Sequence, residues 1–204
     1  MKKGVSKEVI IQRSAKIFVE NGIKTTMDEL SRLLKISKRT IYEQFEDKTD
    51  LVRECILLLI DNLPKIPPVQ KNISNQIPNI CQIIFENAIP HFGKRNKFVK
   101  ELKIFYPELY DEYLYPVIQN IEKSLLDNVK RSARDGYIRS DIIPEIYLPF
   151  LMQYIFLVTE PTDNYISKYS HISIFQNTIL PYFRGMLTEK GIREFDENIK
   201  NYIK

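Results

Sequence analysis

A short segment in the first quarter of the chain carries the side chains best suited to chemistry, and that chemistry is hydrogen bonding to nucleic acid. The segment starts at Ser37, and a helix turning about 100° per residue would direct Ile41 and Phe45 inward. The outward face and its flanks then carry a guanidinium, a carboxylate, a hydroxyl and a phenol, from Arg39, Glu43, Thr40 and Tyr42. Such groups suit the base edges and phosphates of a DNA major groove.

Polar residues on both sides of this face could contact the phosphate backbone. Ser37 would leave a helix N-terminus able to meet a phosphate, and Lys38 and Lys48 add positive charge. Thr25 and Thr26, at the start of the preceding helix, could bond a second stretch of backbone. Each residue alone is better explained as a cap, a packing residue or a solvated charge, so it is the joint pattern that favours DNA.

Glu43 does not fit this pattern simply, because phosphates repel a carboxylate. It could accept a hydrogen bond from the amino group of a cytosine. The alternative, which we favour, is an ion pair within the helix with Lys38 or Arg39 one turn back.

The composition is that of an ordinary globular protein. The chain has 204 residues, of which 44% are apolar and 27% charged, and these values exclude collagen-like, low-complexity and disordered classes. Lysine and arginine exceed the acidic residues, 30 to 26, and most of the excess lies in residues 1–50, which hold 11 basic and eight acidic side chains. That surplus is weak evidence alone, but it lies in the same stretch as the polar segment.

Cysteine, histidine and hydropathy exclude other kinds of protein. Two cysteines and two histidines give no disulfide framework and no zinc-binding spacing, so we expect no metal and no cofactor. No glycine-rich phosphate loop or nucleophile motif occurs, so we expect no enzyme. The chain starts without a signal peptide, and its longest apolar stretch, residues 146–158, is shorter than the roughly 20 residues of a membrane span. A cytoplasmic protein with no membrane partner is expected.

Apolar residues recur with a helical period along nearly the whole chain, and no stretch alternates like a strand, which predicts an all-α fold. Thr26 and Glu29 have the spacing of a capping box, while Pro116 and Pro181 should kink or bend two long helices. The predicted helices span residues 6–21, 27–34, 38–45, 48–63, 73–88, 97–105, 109–134, 144–159, 169–187 and part of 189–204.

The two short helices in residues 27–45 must be held by packing, because helices of this length are unstable alone. Leu30, Leu34, Ile41 and Phe45 can pack on one another and against Phe18 of the first helix. The sequence therefore predicts a three-helix unit with the second short helix on its outside.

Several residues between Phe18 and Leu51 have a spacing that is found in one protein family. They are Phe18, Gly22, Thr25-Thr26, Leu30, the run Ile36-Ser37-Lys38-Arg39-Thr40-Ile41-Tyr42-Glu43-Gln44-Phe45, and Asp47-Lys48-x-x-Leu51. With them, residues 6–53 resemble the N-terminal domain of TetR-family transcriptional regulators, and the remaining chain shares with that family an all-helical layout. Three residues depart from the family pattern. Lys35 stands in the turn where the family usually has a glycine. Ser31 stands where a small alanine packs, and Arg39 stands where glycine or proline is frequent.

The resemblance implies an N-terminal three-helix helix-turn-helix DNA-binding domain, residues 1–50, and a larger C-terminal helical ligand-binding and dimerisation domain, residues 51–204. The second short helix would be the recognition helix, with Lys38 and Arg39 near base edges and Lys48 on a phosphate. The expected DNA contacts are Thr25, Thr26, Ser37, Lys38, Arg39, Thr40, Tyr42, Gln44 and Lys48.

Two C-terminal helices could join two copies of the chain. Residues 146–158 are apolar on nearly every face, and a second helix has apolar residues at the spacing of a bundle seam. The expected dimer interface consists of Met152, Phe156, Ile172, Phe175, Ile179, Tyr182 and Met186. The alternative is that both helices are simply monomer core.

Aromatic residues are dense in the C-terminal part, where members of the family commonly bind a small effector. A largely apolar pocket with a few tyrosine hydroxyls would suit a hydrophobic ligand. The expected lining is Phe85, Phe105, Tyr106, Tyr110, Tyr113, Tyr147, Phe150 and Gln153. The alternative is that these are ordinary core aromatics.

The resemblance therefore implies a sequence-specific DNA-binding transcriptional regulator. It would be a homodimeric repressor that a small hydrophobic effector releases from a palindromic double-stranded operator. The alternative is a helical protein-interaction module whose DNA-binding fold no longer reads DNA, and Lys35 and Glu43 are the residues that favour it.

Overall fold

The structure, a computed structural model, describes residues 5–63, 92–159 and 168–199, and these ranges are mostly helical. The helices are α1 (Lys7–Asn21), α2 (Met27–Leu34), α3 (Lys38–Tyr42), α4 (Lys48–Asp61), α5 (Phe92–Phe105), α6 (Pro107–Leu109), α7 (Tyr115–Arg134), α8 (Pro144–Thr159), α9 (His171–Ile174), α10 (Leu180–Gly185) and α11 (Glu189–Ile199). In the described ranges no strand forms, and an isolated antiparallel bridge joins Ile138 to Leu187. The prediction of an all-α fold is confirmed.

The predicted helix bounds agree with the structure to within a few residues. α3 ends at Tyr42, three residues before its predicted end, and α5 begins at Phe92, five residues before its predicted start. The helix predicted over residues 73–88 lies outside the described residues.

Side-chain caps fix the starts of the first four helices. Ser6, Ser37 and Asp47 each accept the backbone N–H of the residue three positions later. Thr26 and Glu29 bond each other's backbone N–H groups, at 2.8 and 3.2 Å, in the predicted capping box. Because these caps bind N–H groups that have no partner inside the helix, even the short helices start at a defined residue.

Two π-helical turns, Tyr110–Leu114 and Phe175–Ile179, come just before the two prolines that were expected to disturb helices. Pro116 and Pro181 lack an N–H, and each ring would crowd the carbonyl four residues back. After the first turn, Tyr115 donates its N–H to the Tyr110 carbonyl, five residues back instead of four. The wider turn leaves room for the proline ring, so the helix restarts without a sharp break.

The chain divides into two compact units, and the first comprises Met1–Leu63 and Lys94–Ile118. Its buried core joins α1–α4 to α5 and includes Ile10, Phe18, Leu30, Ile41, Phe45, Leu51, Phe98 and Leu102. The predicted packing of the short helices against α1 is confirmed. The domain boundary predicted after residue 50 falls inside α4 and stays a prediction, whereas by packing α4 and α5 belong with the first unit.

The second unit comprises Pro64–Gly93 and Gln119–Lys204. Its described core includes Leu125, Val129, Ile138, Leu151, Phe175, Ile179, Phe183, Met186 and Phe195. The segment after α7 is tied to the start of α11, since Thr188 donates its N–H to the Tyr137 carbonyl at 3.0 Å. Gly191 of α11 packs on the same carbonyl so closely that a Cβ there would lie 2.2 Å from the oxygen.

Three of the residues expected at a dimer interface lie instead in the core of this unit. Phe175, Ile179 and Met186 are at most 1% exposed, so they have no surface left for a partner. Their seam spacing correctly describes one face of a helix, but that face packs on the chain's own helices. For these three residues, burial within the chain favours the monomer-core alternative.

The other residues expected at that interface have varied surroundings. Tyr182 lies half-buried against Tyr147, with ring centroids 4.7 Å apart, and Met152 packs on the edge of the core. Ile172 is exposed. The side chain of Phe156 lies outside the described residues.

Candidate DNA interface

The turn between α2 and α3 is closed by backbone hydrogen bonds. Lys35 donates its N–H to the Arg32 carbonyl at 3.2 Å, and Ile36 donates to the Ser31 carbonyl at 3.1 Å, which is the pattern of a Schellman cap. Lys35 has a left-handed backbone with φ of 56°, a conformation that favours glycine. The closed turn brings the chain to the start of α3 within three residues, so α2 and α3 form a helix-turn-helix.

α3 is held from below by two apolar side chains. Ile41 and Phe45 are buried, as predicted, in the same core as Leu30. At the helix start, Ser37 Oγ accepts the Thr40 N–H at 3.0 Å, and the two hydroxyls lie 2.7 Å apart. A helix of five residues is thereby fixed in place with its opposite face turned to solvent.

The outward face of α3 and the residues after it expose Arg39, Tyr42, Glu43 and Gln44. The side chain of Arg39 is 89% exposed, and its Nε lies 3.0 Å from Glu43 Oε1. The ion pair within the helix that the sequence favoured for Glu43 is therefore confirmed. Exposed pairs at this spacing contribute about 0.3–0.5 kcal/mol, so Arg39 can leave Glu43 for another acceptor at little cost.

Lys38 reaches from α3 to α2. Its Nζ lies 3.0 Å from Asp28 Oδ1, and both side chains are exposed. The hydrogen bond to Asp28 raises the pKa of Lys38, so the ammonium keeps its charge. A phosphate that binds Lys38 must compete with this carboxylate.

The two threonines before α2 face in different directions. Thr25 is buried, and its hydroxyl donates to the Gly22 carbonyl at 2.8 Å. Thr26 is exposed and caps α2, and the bond from its N–H lowers the pKa of Glu29. The burial of Thr25 argues against the DNA contact predicted for it, while Thr26 remains at the surface.

Two cations beside α2 were missed by the sequence reasoning. Lys24 and Arg32 are exposed and help to line a shallow groove at the start of α2, together with Asn21, Thr25, Thr26, Glu29 and Leu33. The signal for Arg32 was its position three residues after Glu29, on the exposed face of a capped helix. Both cations add positive charge to the surface that carries Thr26.

Lys48 is turned away from the position expected of a phosphate ligand. Its Nζ donates to the Ile23 carbonyl at 2.6 Å, and it lies 5.9 Å from the ring centroids of both Phe18 and Tyr106. Burial lowers the pKa of this ammonium. In this structure Lys48 joins the start of α4 to the loop between α1 and α2.

The helix-turn-helix region also matches the model of a known family. Residues 10–55, which contain α2, the turn and α3, match the model of the bacterial regulatory proteins of the tetR family. Residues 10–55 are therefore similar to the DNA-binding domain of this family, which supports a DNA-binding transcriptional regulator. An N-terminal helix-turn-helix followed by a C-terminal helical part is the layout of the structure.

Known transcriptional regulators are similar to this chain over about two thirds of its length or more. The uncharacterized HTH-type transcriptional regulator YhgD of Bacillus subtilis is 29% identical over 144 residues, which cover 68% of this chain and 72% of YhgD. IcaR of Staphylococcus aureus, a negative regulator of the biofilm operon icaADBC, is 25% identical over 135 residues, covering 65% of this chain and 72% of IcaR. The ketosteroid regulator KstR2 of Mycobacterium tuberculosis has the same fold, with a TM-score of 0.63 at 16% identity, covering 93% of this chain and all of KstR2.

The residues expected around an effector fall in both units of the chain. The first unit holds Phe105, Tyr106, Tyr110 and Tyr113, and the second holds Tyr147, Phe150 and Gln153. Phe150 is 67% exposed, and Phe85 lies outside the described residues. The effector pocket stays a prediction.

In the described part of the chain, no group of three or more His, Cys, Asp and Glu side chains is placed to hold a metal ion. Among the described helices, none combines the length and the apolar character that crossing a membrane requires.

Proposed function

We propose that the chain is a homodimeric repressor that reads a palindromic operator through the outward face of α3. The observation that carries this proposal is the mounting of α3, which is fixed by Ile41 and Phe45 below and exposes Arg39 above. A DNA-reading helix needs this combination, because its side chains must meet base edges without losing the helix position. A repressor of this kind acts in the cytoplasm, where bacterial DNA lies.

Each exposed residue has a distinct part in the proposed contact. Arg39 and Gln44 present donors that can bind base edges, and Tyr42 offers a phenol to a base or phosphate. Lys38 exchanges Asp28 for a phosphate, and the capped starts of α2 and α3, at Thr26 and Ser37, approach backbone oxygens.

A second copy of the chain would supply the second recognition helix. Two half-sites one turn apart require two α3 helices about 34–36 Å from each other. We place the contact between copies on the exposed apolar face of α8 and the residue before it. Ile143, Ile146 and Phe150 follow one another at helical spacing there, and each is more than half exposed.

A small hydrophobic effector would switch such a dimer by changing the distance between the two α3 helices. The effector needs to bind one spacing better than the other by about 1–3 kcal/mol to give a useful response. The aromatic residues expected from the sequence remain the candidates for its site.

Two residues argued from the sequence for the alternative, an interaction module that no longer reads DNA. Their surroundings in the structure weaken both arguments. Glu43, which argued for it, is paired with Arg39 at 3.0 Å in the protein without DNA. Lys35, which also argued for it, closes the turn in the left-handed conformation normally given to glycine.

Selection of bound fragments from a random DNA pool, at moderate salt, tests the proposal. A palindrome with two half-sites on one face of the duplex is the expected result, and recovery of no common sequence would reject a DNA reader. On the selected operator, Lys38→Ala should reduce the slope of log affinity against log salt by about 0.9, while Arg39→Ala should relax base preference. Lys123→Ala, an exposed cation on α7, is the control and should bind like the parent.

A further inference from the structure

The loop between α1 and α2 determines where the recognition elements begin. It runs from Gly22, which ends α1, to Thr26, which caps α2, and Ile23 at its centre is fully buried. Because α2 and α3 are joined by a closed turn, any freedom in this loop moves both helices together. The contacts that hold the loop therefore bear on the position of the DNA-reading face.

Both backbone polar groups of Ile23 are held by charged side chains from distant parts of the first unit. The Ile23 N–H donates to Glu101 Oε2 of α5 at 2.8 Å. The Ile23 carbonyl accepts from Lys48 Nζ of α4 at 2.6 Å. Hydrogen bonds to ionised groups are stronger than neutral ones, and here two of them grip one residue from opposite sides.

The two side chains are themselves constrained. The Glu101 side chain is 19% exposed, and a Cβ on Gly22 would lie 2.8 Å from its Oε2, so the carboxylate is seated against the bare backbone of that glycine. Lys48 packs between the rings of Phe18 and Tyr106, and its burial lowers its pKa. Its ammonium is directed to the loop rather than to solvent.

We propose that Glu101 and Lys48 are positioning residues for DNA binding: together they clamp Ile23 and so fix the α1–α2 loop from which α2 and α3 extend. This inference rests on the proposed function. It assigns Lys48 a role other than the phosphate contact that the family resemblance implies. It also means that α5, which lies beyond the helix-turn-helix in sequence, affects the affinity for DNA.

The test compares three variants on the selected operator, with affinity measured by fluorescence anisotropy at several salt concentrations. Lys48→Met keeps the aliphatic stem but cannot donate, and Glu101→Ala removes the acceptor. Each should weaken binding to every sequence by about tenfold, the effect of losing one charge-assisted bond, with no change in salt slope. Glu101→Gln keeps an amide oxygen for the Ile23 N–H and should bind within about twofold of the parent.

A second measurement does not depend on DNA. Hydrogen exchange of the free protein should show faster exchange of the Ile23 amide in Glu101→Ala than in the parent or in Glu101→Gln. Lys97→Ala removes a neighbour 4.0 Å from Glu101 but no bond to the loop, and should leave both exchange and affinity unchanged. Circular dichroism checks that each variant is folded at the assay temperature.

Specific results would overturn the clamp. A fall of about 0.9 in the salt slope of Lys48→Met would identify Lys48 as a phosphate ligand instead. Unchanged Ile23 exchange in Glu101→Ala would show that the bond does not hold the loop, whatever happens with DNA. If the parent selects no operator but the exchange pattern is as expected, the proposed function fails while the clamp itself stands.

Discussion

Replacing Lys35 by glycine should stabilise the protein, because Lys35 occupies a backbone conformation that a side chain disfavours. Its φ is 56°, and a left-handed residue with a Cβ costs about 1–2 kcal/mol. Glycine removes that cost but gives the unfolded chain more freedom, which costs about 0.5–1 kcal/mol. The net gain should be about 0.5–1 kcal/mol, or a rise of about 1–4 °C in Tm for a chain of this length.

The second unit supplies a matched control for the same cap. α7 ends in the same Schellman pattern, with Gly136 donating to the Ala133 carbonyl at 3.1 Å and Tyr137 to the Ser132 carbonyl at 2.9 Å. Gly136 has φ of 78°, and a Cβ there would meet nothing within 4 Å, so Gly136→Ala tests the backbone conformation without a clash. It should lower Tm by a similar few degrees.

Thermal unfolding followed by circular dichroism, without DNA, measures both variants. The reasoning is refuted if Lys35→Gly lowers Tm, or if Gly136→Ala raises it. A higher Tm for Lys35→Gly together with a lower Tm for Gly136→Ala would show that the helix-turn-helix tolerates a strained residue at its turn.

Three further predictions concern packing, ionisation and assembly. Gly191→Ala should destabilise by about 1–3 kcal/mol, because the added Cβ would lie 2.2 Å from the Tyr137 carbonyl, whereas Gly185→Ala meets open space and should be neutral or stabilising in the same thermal melt. Burial raises the pKa of Tyr147, so the folded state holds this proton more tightly than the unfolded state. The free energy of unfolding should therefore fall as pH rises above about 10. Urea titrations should show a shallower fall with pH in Tyr147→Phe than in the parent, and an equally steep fall would contradict this. Phe150→Glu should change the sedimentation coefficient from that of a dimer to that of a monomer. Lys123→Glu, at an exposed position of α7, should leave the sedimentation coefficient unchanged. A dimeric Phe150→Glu variant would exclude α8 as the contact between copies.

The helix-turn-helix could be predicted from the sequence because its determinants are local. The caps at Thr26 and Ser37 bond residues three positions away, and the inward faces of Ile41 and Phe45 follow from helical period alone. The pair between Arg39 and Glu43 is equally local, since it joins neighbouring turns of one helix.

The direction of a long side chain or of an apolar face could not be predicted in the same way. Lys48 points to Ile23 and Tyr106 because of packing between parts of the chain that are distant in sequence. Phe175 and Ile179 have the spacing of a seam, but spacing does not tell whether the seam meets another helix of the same chain or of a second copy. Lys24 was missed because an exposed cation in a loop has no distinguishing pattern, whereas Arg32 could have been found from its position three residues after Glu29.

The π-helical turn before Pro116 has a consequence for how the length of this chain can change. Such a turn contains one residue more than a regular helical turn and absorbs that residue locally, so the side chains after it keep the phase of a regular helix one residue shorter. Deleting one residue within Tyr110–Leu114 would therefore let a regular helix form there and leave Leu125 and Val129 of α7 on the same helix face. Homologues that have lost a residue at this place should keep a regular helical spacing of apolar residues through this point.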